Sequence, residues 1–309
     1  MKSRGAIATV GTFDGFHRGH RDLMQRLAAE ALHRDLRPLA VTFDRHPLAA
    51  VGDGSRAPAL LSPRFALKEM IGRCGVGETL FLHFTPRMAA MTAEDFMRML
   101  RRDYDIRALL MGFNNTLGSE RSTSPEFYVE AGRRAGVDVI FAPQFVDSET
   151  GVTPASTLLR RLVAEGDMDA FSRYAGHPYE ISGPVVHGLR NGHRLGFPTL
   201  NIAVGKSTLL PAPGVYAARV TINAGEPLSA VVNVGSNPTV APGRPLTVEV
   251  HVPGRDLGER YGSEAIVAFV SRIRDERRFD SFAELSDAIA ADSATALRIL
   301  ADTHGDTAD

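Results

Sequence analysis

At 309 residues the chain is long enough for about two domains, each able to bury its own core. A hydrophobic content of 44% and a charged content of 23% are ordinary for a soluble globular protein, and a formal charge of −1 removes any compositional argument for nucleic-acid binding. The single cysteine, Cys74, cannot form an intrachain disulfide, and neither a secretory segment nor a run of membrane-spanning length is visible, so a soluble cytoplasmic protein with no membrane partner is expected.

Ala6 to Val10 is an apolar run of strand length, and it passes through the glycine-rich turn Gly11-Thr12-Phe13-Asp14-Gly15-Phe16 into a helical pattern beginning near Arg21. A strand, a glycine turn and a helix start present backbone N–H groups and a positive helix end, which suits an anion, phosphate first of all. His17 and His20 stand three apart, so a helical turn puts both imidazoles on one side, and Gly19 between them offers no side chain to obstruct a close ligand. The stretch lacks the Lys-Ser/Thr ending of a Walker loop and the full G-x-G-x-x-G of a dinucleotide fold. Its plainer readings are a histidine-rich turn, or two metal ligands without a nearby third.

Leu23, Leu27 and Ala31 mark the apolar stripe of a helix ending near His33 to Leu36, and Leu39 to Phe43 is the next strand candidate. His46-Pro47 follows it at the edge where open α/β sheets bind ligands, and reads equally as a loop histidine or a substrate contact. Ser62-Pro63 starts a helix, Thr79 to Phe84 is a strand, Thr92 to Asp95 opens a helix through Phe96 and Leu100, and Ala108 to Gly112 is another strand. A polar loop from Phe113 to Ser122 comes next, containing Asn114. Val137 to Pro143 is the last strand of this half, and Ala155 to Arg160 opens a helix that Ser156 or Thr157 can cap, with Arg160 in its first turn. Alternating strands and helices predict a doubly wound parallel sheet.

Around Gly166 to Ala175 the pattern changes to short alternating stretches, and the domain boundary is placed there. Tyr179 to Val186, Gly214 to Ile222, Ser229 to Val234, Leu246 to Val252 and Ala265 to Val270 predict a compact β-barrel, closed off by a C-terminal helix through Phe282, Leu285, Ile289 and Leu297. Thr199 and Asn201 are two apart, so in an extended chain their oxygens point the same way; with nucleotide phosphates they suit Mg²⁺. In Thr247 to Val252 the valines share one face, with Glu249 and His251 on the other. Pattern alone favours a solvated Glu249 beside the barrel mouth.

The string from Gly11 to His20 carries the H-x-G-H signature of nucleotidylyltransferases and resembles, more narrowly, the bacterial flavin enzymes that combine riboflavin kinase with FAD synthetase. Phe43-Asp44-x-His46-Pro47, Ser156-Thr157-x-x-Arg160 and Gly196-Phe197-Pro198-Thr199-x-Asn201 match that family in order, as do Asn233-Val234-Gly235, Pro238-Thr239, Tyr261-Gly262 and Ile273-Arg274-Asp275-Glu276. The chain departs from it at Asn115, Thr116 and Leu117, where two aromatic residues and an arginine are usual, at Asn237, and at His193, for which Arg194 can serve. The resemblance implies a nucleotidylyltransferase domain over 1–170 and a barrel kinase domain over 171–309, with ATP, riboflavin and FMN as substrates. It assigns catalysis to Glu249, as base, and to His17 and His20; nucleotide or flavin binding to Gly11, Asp14, Gly19, Asn114, Ser156, Thr157, Arg160, Gly188, Arg194, Gly196 and Pro198; and Mg²⁺ to Thr199 and Asn201. Two alternatives stay open: an active kinase with a slow or inert adenylyltransferase half, and a flavin- or nucleotide-binding regulator without turnover.

Overall fold

The computed structural model describes residues 4–50, 57–187, 197–235 and 246–302. It divides into two compact units, Met1–Leu60 with Arg64–Ala155, and Leu61–Pro63 with Ser156–Asp309.

In the first unit β1 (Ala6–Val10), β2 (Arg37–Phe43), β3 (Glu78–Leu82), β4 (Ile106–Met111) and β5 (Asp138–Phe141) form one sheet in the order β3-β2-β1-β4-β5. Every pairing in it is parallel. β1 is buried along its whole length, and its residues divide between the two faces with period two. Ile7 packs with Leu23, Met24 and Leu27 of α1 (Arg18–His33) and with Leu67 and Ile71 of α2 (Arg64–Arg73). Ala6, Ala8 and Val10 face the other way, toward Phe96 and Leu100 of α4 (Ala93–Tyr104) and Tyr128 and Ala131 of α5 (Pro125–Ala135). A short α3 (Pro86–Ala89) lies between β3 and α4. The strand order reverses between β1 and β4, which puts the ligand crevice of such a sheet at the turn after β1.

In the second unit β6 (Tyr179–Val186), β7 (Thr199–Ile202), β8 (Gly214–Ile222), β9 (Leu228–Gly235), β10 (Thr247–His251) and β11 (Glu264–Arg274) close into a barrel in the order β10-β7-β6-β11-β8-β9. All of its pairings are antiparallel. Val248, Val250, Val232, Val234 and Phe269 fill the interior.

The division falls at Ala155/Ser156, earlier than the boundary expected at Gly166 to Ala175. α6 (Ser156–Glu165) and α7 (Met168–Ala175) supply Leu159, Val163, Met168 and Phe171 to the same apolar cluster as Tyr179, Tyr216 and Phe269, and that burial ties both helices to the barrel.

The terminal helix, α8 (Phe282–Asp302), packs differently from its expected stripe. Phe282 and Leu297 are exposed, whereas Ala288, Asp292, Ser293, Ala296 and Leu300 are buried. Small residues suit this face because it lies on the outside of the barrel against Val215, Ala217 and Val231. Asp292 goes inward with them because Arg274 donates to both of its carboxylate oxygens, Nε to Oδ1 at 3.0 Å and Nη2 to Oδ2 at 2.7 Å.

Candidate active sites

The first site grows from the turn after β1. Phe13 (φ 48°), Gly15 (φ 79°) and Phe16 (φ 26°) all have positive φ, a strained choice for two phenylalanines that is offset by burying both rings almost completely. The Phe16 N–H donates to the Phe13 carbonyl and closes the turn. His17 then serves as N-cap of α1, which therefore starts at Arg18 rather than near Arg21. The His20 backbone N–H donates to His17 Nδ1 at 3.3 Å, so Nδ1 is bare and the neutral His17 ring carries its proton on Nε2.

The two imidazoles stack at 3.7 Å between centroids with 17° between planes, and Phe13 meets His20 edge-on. Nδ1 of His20 is buried without a hydrogen-bond partner. Burial first, and the His17 charge second, push the His20 imidazole well below its ordinary pKa. With no acidic residue in the first turn of α1, this end of the helix is built to receive an anion. Gly19 matters here, since a Cβ on it would press on His17 Nδ1 and Cε1 and approach Phe145. Asp14 is almost fully buried in the turn, and the Gly11 N–H donates to the Val41 carbonyl, joining the turn to β2.

The loop after β4 explains the departures from the resembled pattern. Asn115 turns inward, and its Nδ2 donates to the Val10 carbonyl at 2.7 Å. Leu117 is buried in the core, and its N–H donates to the Tyr128 hydroxyl. Asn114 and Phe113 stay exposed at the crevice.

Three side chains in this unit make contacts that the sequence did not specify. Arg18, the free position of H-x-G-H, donates to Asp147 at 2.9 Å and Glu149 at 3.1 Å, tying the loop after β5 to the histidine turn. His46 Nδ1 accepts the Leu48 N–H, which gives this histidine a local capping part. His83 pairs through Nδ1 with Asp44 at 2.5 Å beyond the ends of β2 and β3. Burial works to raise the Asp44 pKa, but the His83 and Phe84 hydrogen bonds and the charges of His83 and Arg45 outweigh it, leaving the carboxyl below its ordinary value.

The second site is a row across three strands. Glu249 on β10 pairs with Asn201 on β7 and with Asn233 on β9, and His251 pairs with Thr199. Directly opposed residues of antiparallel strands share a face, so Thr199, Asn201, Glu249, Asn233 and His251 all lie on the wall opposite Val248 and Val250. That wall is the outside of the barrel, not its mouth. Glu249 is nonetheless half-buried. The carboxylate of Glu276 stands over Gly235, where any Cβ would collide with it. Burial, and after it the charge of Glu276, push the Glu249 carboxyl above the usual range, which strengthens it as a base.

Among the described residues no group of three or more His, Cys, Asp or Glu converges as a metal cage would. Thr199 and Asn201 instead offer two neutral oxygens beside one carboxylate, a donor set that fits a hard, hydrated divalent ion taking its other ligands from phosphate. Pro198 precedes them at the entry to β7. Thr199 also borders a shallow open depression lined by Val252, Arg255 and Asp256. Gly188, Arg194 and Gly196, with His193, Asn237, Pro238 and Thr239, lie outside the described residues. Ser156, Thr157 and Arg160 stand on α6 in the second unit; Ser156 and Thr157 are inside its first turn.

A parallel α/β unit with a histidine turn at its switch point, and a closed barrel with a polar row around one carboxylate on its outer wall, define a two-unit protein with a separate polar site in each. The matches to known proteins follow the same division: a family model described as FAD synthetase covers residues 1–156, and one described as riboflavin kinase covers 175–300. Curated relatives described as bifunctional riboflavin kinase/FMN adenylyltransferase include those of Escherichia coli (strain K12), 35% identical over 94% of this chain and 92% of the relative, and Pseudomonas fluorescens, 33% identical over 96% and 94%. The chain belongs to the bifunctional riboflavin kinase/FMN adenylyltransferase family. A solved structure described as a macrolide-efflux protein from Streptococcus pneumoniae superposes with a TM-score of 0.83 at 27% identity, over 96% of this chain and 94% of that one. Among the described residues of this chain no helix is long and apolar enough to cross a membrane.

Proposed function

We propose that the barrel unit transfers the γ-phosphate of ATP to the 5′-hydroxyl of riboflavin, and that the α/β unit joins the resulting FMN to AMP from a second ATP, giving FAD. The observation that supports this most is the presence of two different polar sites, the histidine turn in one unit and the row around Glu249 in the other, each inside the span of its own family model.

At the barrel wall Glu249 accepts the proton of the 5′-hydroxyl as that oxygen bonds to the γ-phosphorus, the bond to the β–γ bridging oxygen breaks, and ADP leaves. The raised proton affinity of Glu249 suits it to this transfer. Thr199 and Asn201 would hold Mg²⁺, which when bound neutralises charge on the phosphates. At the histidine turn an FMN phosphate oxygen attacks the α-phosphorus of ATP, and pyrophosphate leaves. His17, through Nε2–H, and His20 stabilise the charge gathering on that phosphorus, aided by the N-terminus of α1. No protein nucleophile is needed, because the substrate brings its own. A reducing cytoplasm suits Cys74, whose thiol burial pushes up in pKa.

The inward-turned Asn115 and buried Leu117 favour one second reading, a competent kinase with a slow adenylyltransferase. Chromatography of riboflavin and Mg-ATP incubated with the protein separates the cases. FMN and FAD together support the proposal, FMN alone supports the second reading, and neither product overturns both.

A further inference from the structure

His251 is the last residue of β10 and lies next but one to Glu249, yet the mechanism above gives it no part. It is 8% exposed, unusually buried for a polar side chain on an outer wall. Its Nδ1 lies 2.9 Å from the carbonyl oxygen of Pro198. A carbonyl oxygen only accepts, so Nδ1 carries the proton and donates. The Phe197 ring meets the imidazole edge-on at 5.5 Å and 79°, which fixes the ring's orientation.

The bond reaches the residue just before β7 begins. Pro198 carries no N–H, and the next residue, Thr199, is the cross-strand partner of His251 itself. The Pro198 carbonyl belongs to the planar peptide unit that includes the nitrogen and Cα of Thr199. Holding that oxygen therefore helps fix where the Thr199 nitrogen and Cα sit, and so the point from which its side chain reaches out. Two residues on, Asn201 stands opposite Glu249, so a displaced Thr199 would separate the two neutral oxygens from the base they flank.

We infer that His251 is a positioning residue of the barrel site: its Nδ1–H bond to Pro198 locks the peptide plane that aims Thr199, beside Asn201, at the cation on the nucleotide. The inference rests on the barrel wall being the kinase site. His251 itself touches neither substrate nor metal in this assignment, and acts as an outer partner of a ligand does elsewhere.

The experiment is a three-variant series in the full-length protein. Asparagine places an amide nitrogen close to the position of Nδ1, glutamine reaches toward the position of Nε2, and alanine offers neither. His251→Asn is expected to stay close to the unaltered protein in riboflavin phosphorylation. His251→Gln and His251→Ala are expected to raise the Mg²⁺ concentration needed for half-maximal rate by about 10- to 100-fold, the usual loss when such an outer partner is removed. FAD formation from supplied FMN should not move in any of them.

A readout independent of activity accompanies the series. Long-range ¹H–¹⁵N correlation on histidine-labelled protein, with the His251 signal assigned by its loss in His251→Asn, should show Nδ1 protonated and Nε2 bare. The opposite tautomer overturns the inference even if every variant unfolds. So does equal Mg²⁺ dependence across three folded variants. If the unaltered protein makes no FMN, the kinase reading falls and the inference with it. Normal phosphorylation with no difference among the variants removes the inference alone.

Discussion

His17 and His20 are the residues at which sequence and structure agree most closely, and the structure adds what spacing cannot supply. Three positions apart on a helix start gives a shared side, but the 3.7 Å stack, the bare Nδ1 of His17 and the desolvation of His20 depend on Phe13 and Phe16 packing beneath them. The lowered pKa of His20 has a definite sign. Unfolded His20 takes up a proton near its ordinary value of about 6.5, whereas the folded ring resists until well below it, so stability from this group is full above that value and is lost as pH falls through the interval. His20 should therefore stay neutral at about pH 6 in an NMR titration of the ligand-free protein, and His20→Gln should flatten the fall in melting temperature between about pH 7.5 and 5.5. A His20 signal titrating at or above the ordinary value would contradict this. His251 was visible in the sequence only as the polar neighbour of Glu249 on an alternating strand; what it holds, a carbonyl 53 positions away in the chain, has no local signal.

At the scale of elements, the parallel strands and most barrel strands lie close to their expected limits, the former because burial on both faces makes them short apolar runs and the latter because one buried face enforces alternation. Its failures have particular causes. α7 is eight residues between Asp167, which caps it, and Gly176, and those punctuating residues resemble a linker. α8 was assigned a stripe of large residues, whereas the barrel's outer wall selects the small ones and Arg274 draws Asp292 inward. This ion pair has a stabilising part that can be measured. Asp292→Asn leaves Arg274 half-buried with one charge uncompensated and should cost about 3 kcal/mol in denaturant unfolding of the barrel. A change indistinguishable from zero would mean that α8 is held by its apolar contacts alone. The Asn114 to Gly118 loop was legible as a departure but not as a structure, since nothing local predicts that Asn115 reaches Val10 or that Leu117 joins the core.

For the whole molecule the central claim is that two ATP-using sites of different chemistry share one chain: the outer-wall row around Glu249 cleaves ATP at its terminal phosphorus, and the stacked histidines of the other unit direct attack at the innermost one. Mixing two folded variants tests it most directly. Glu249→Gln alone, given riboflavin and Mg-ATP, should form FMN about 10²- to 10⁴-fold more slowly while still converting supplied FMN to FAD. His20→Ala alone should accumulate FMN and make little FAD. An equimolar mixture of the two should restore FAD formation from riboflavin, because one variant supplies the FMN that the other adenylylates. Failure of the mixture to make FAD, with Glu249→Gln also unable to use supplied FMN, would contradict separate sites.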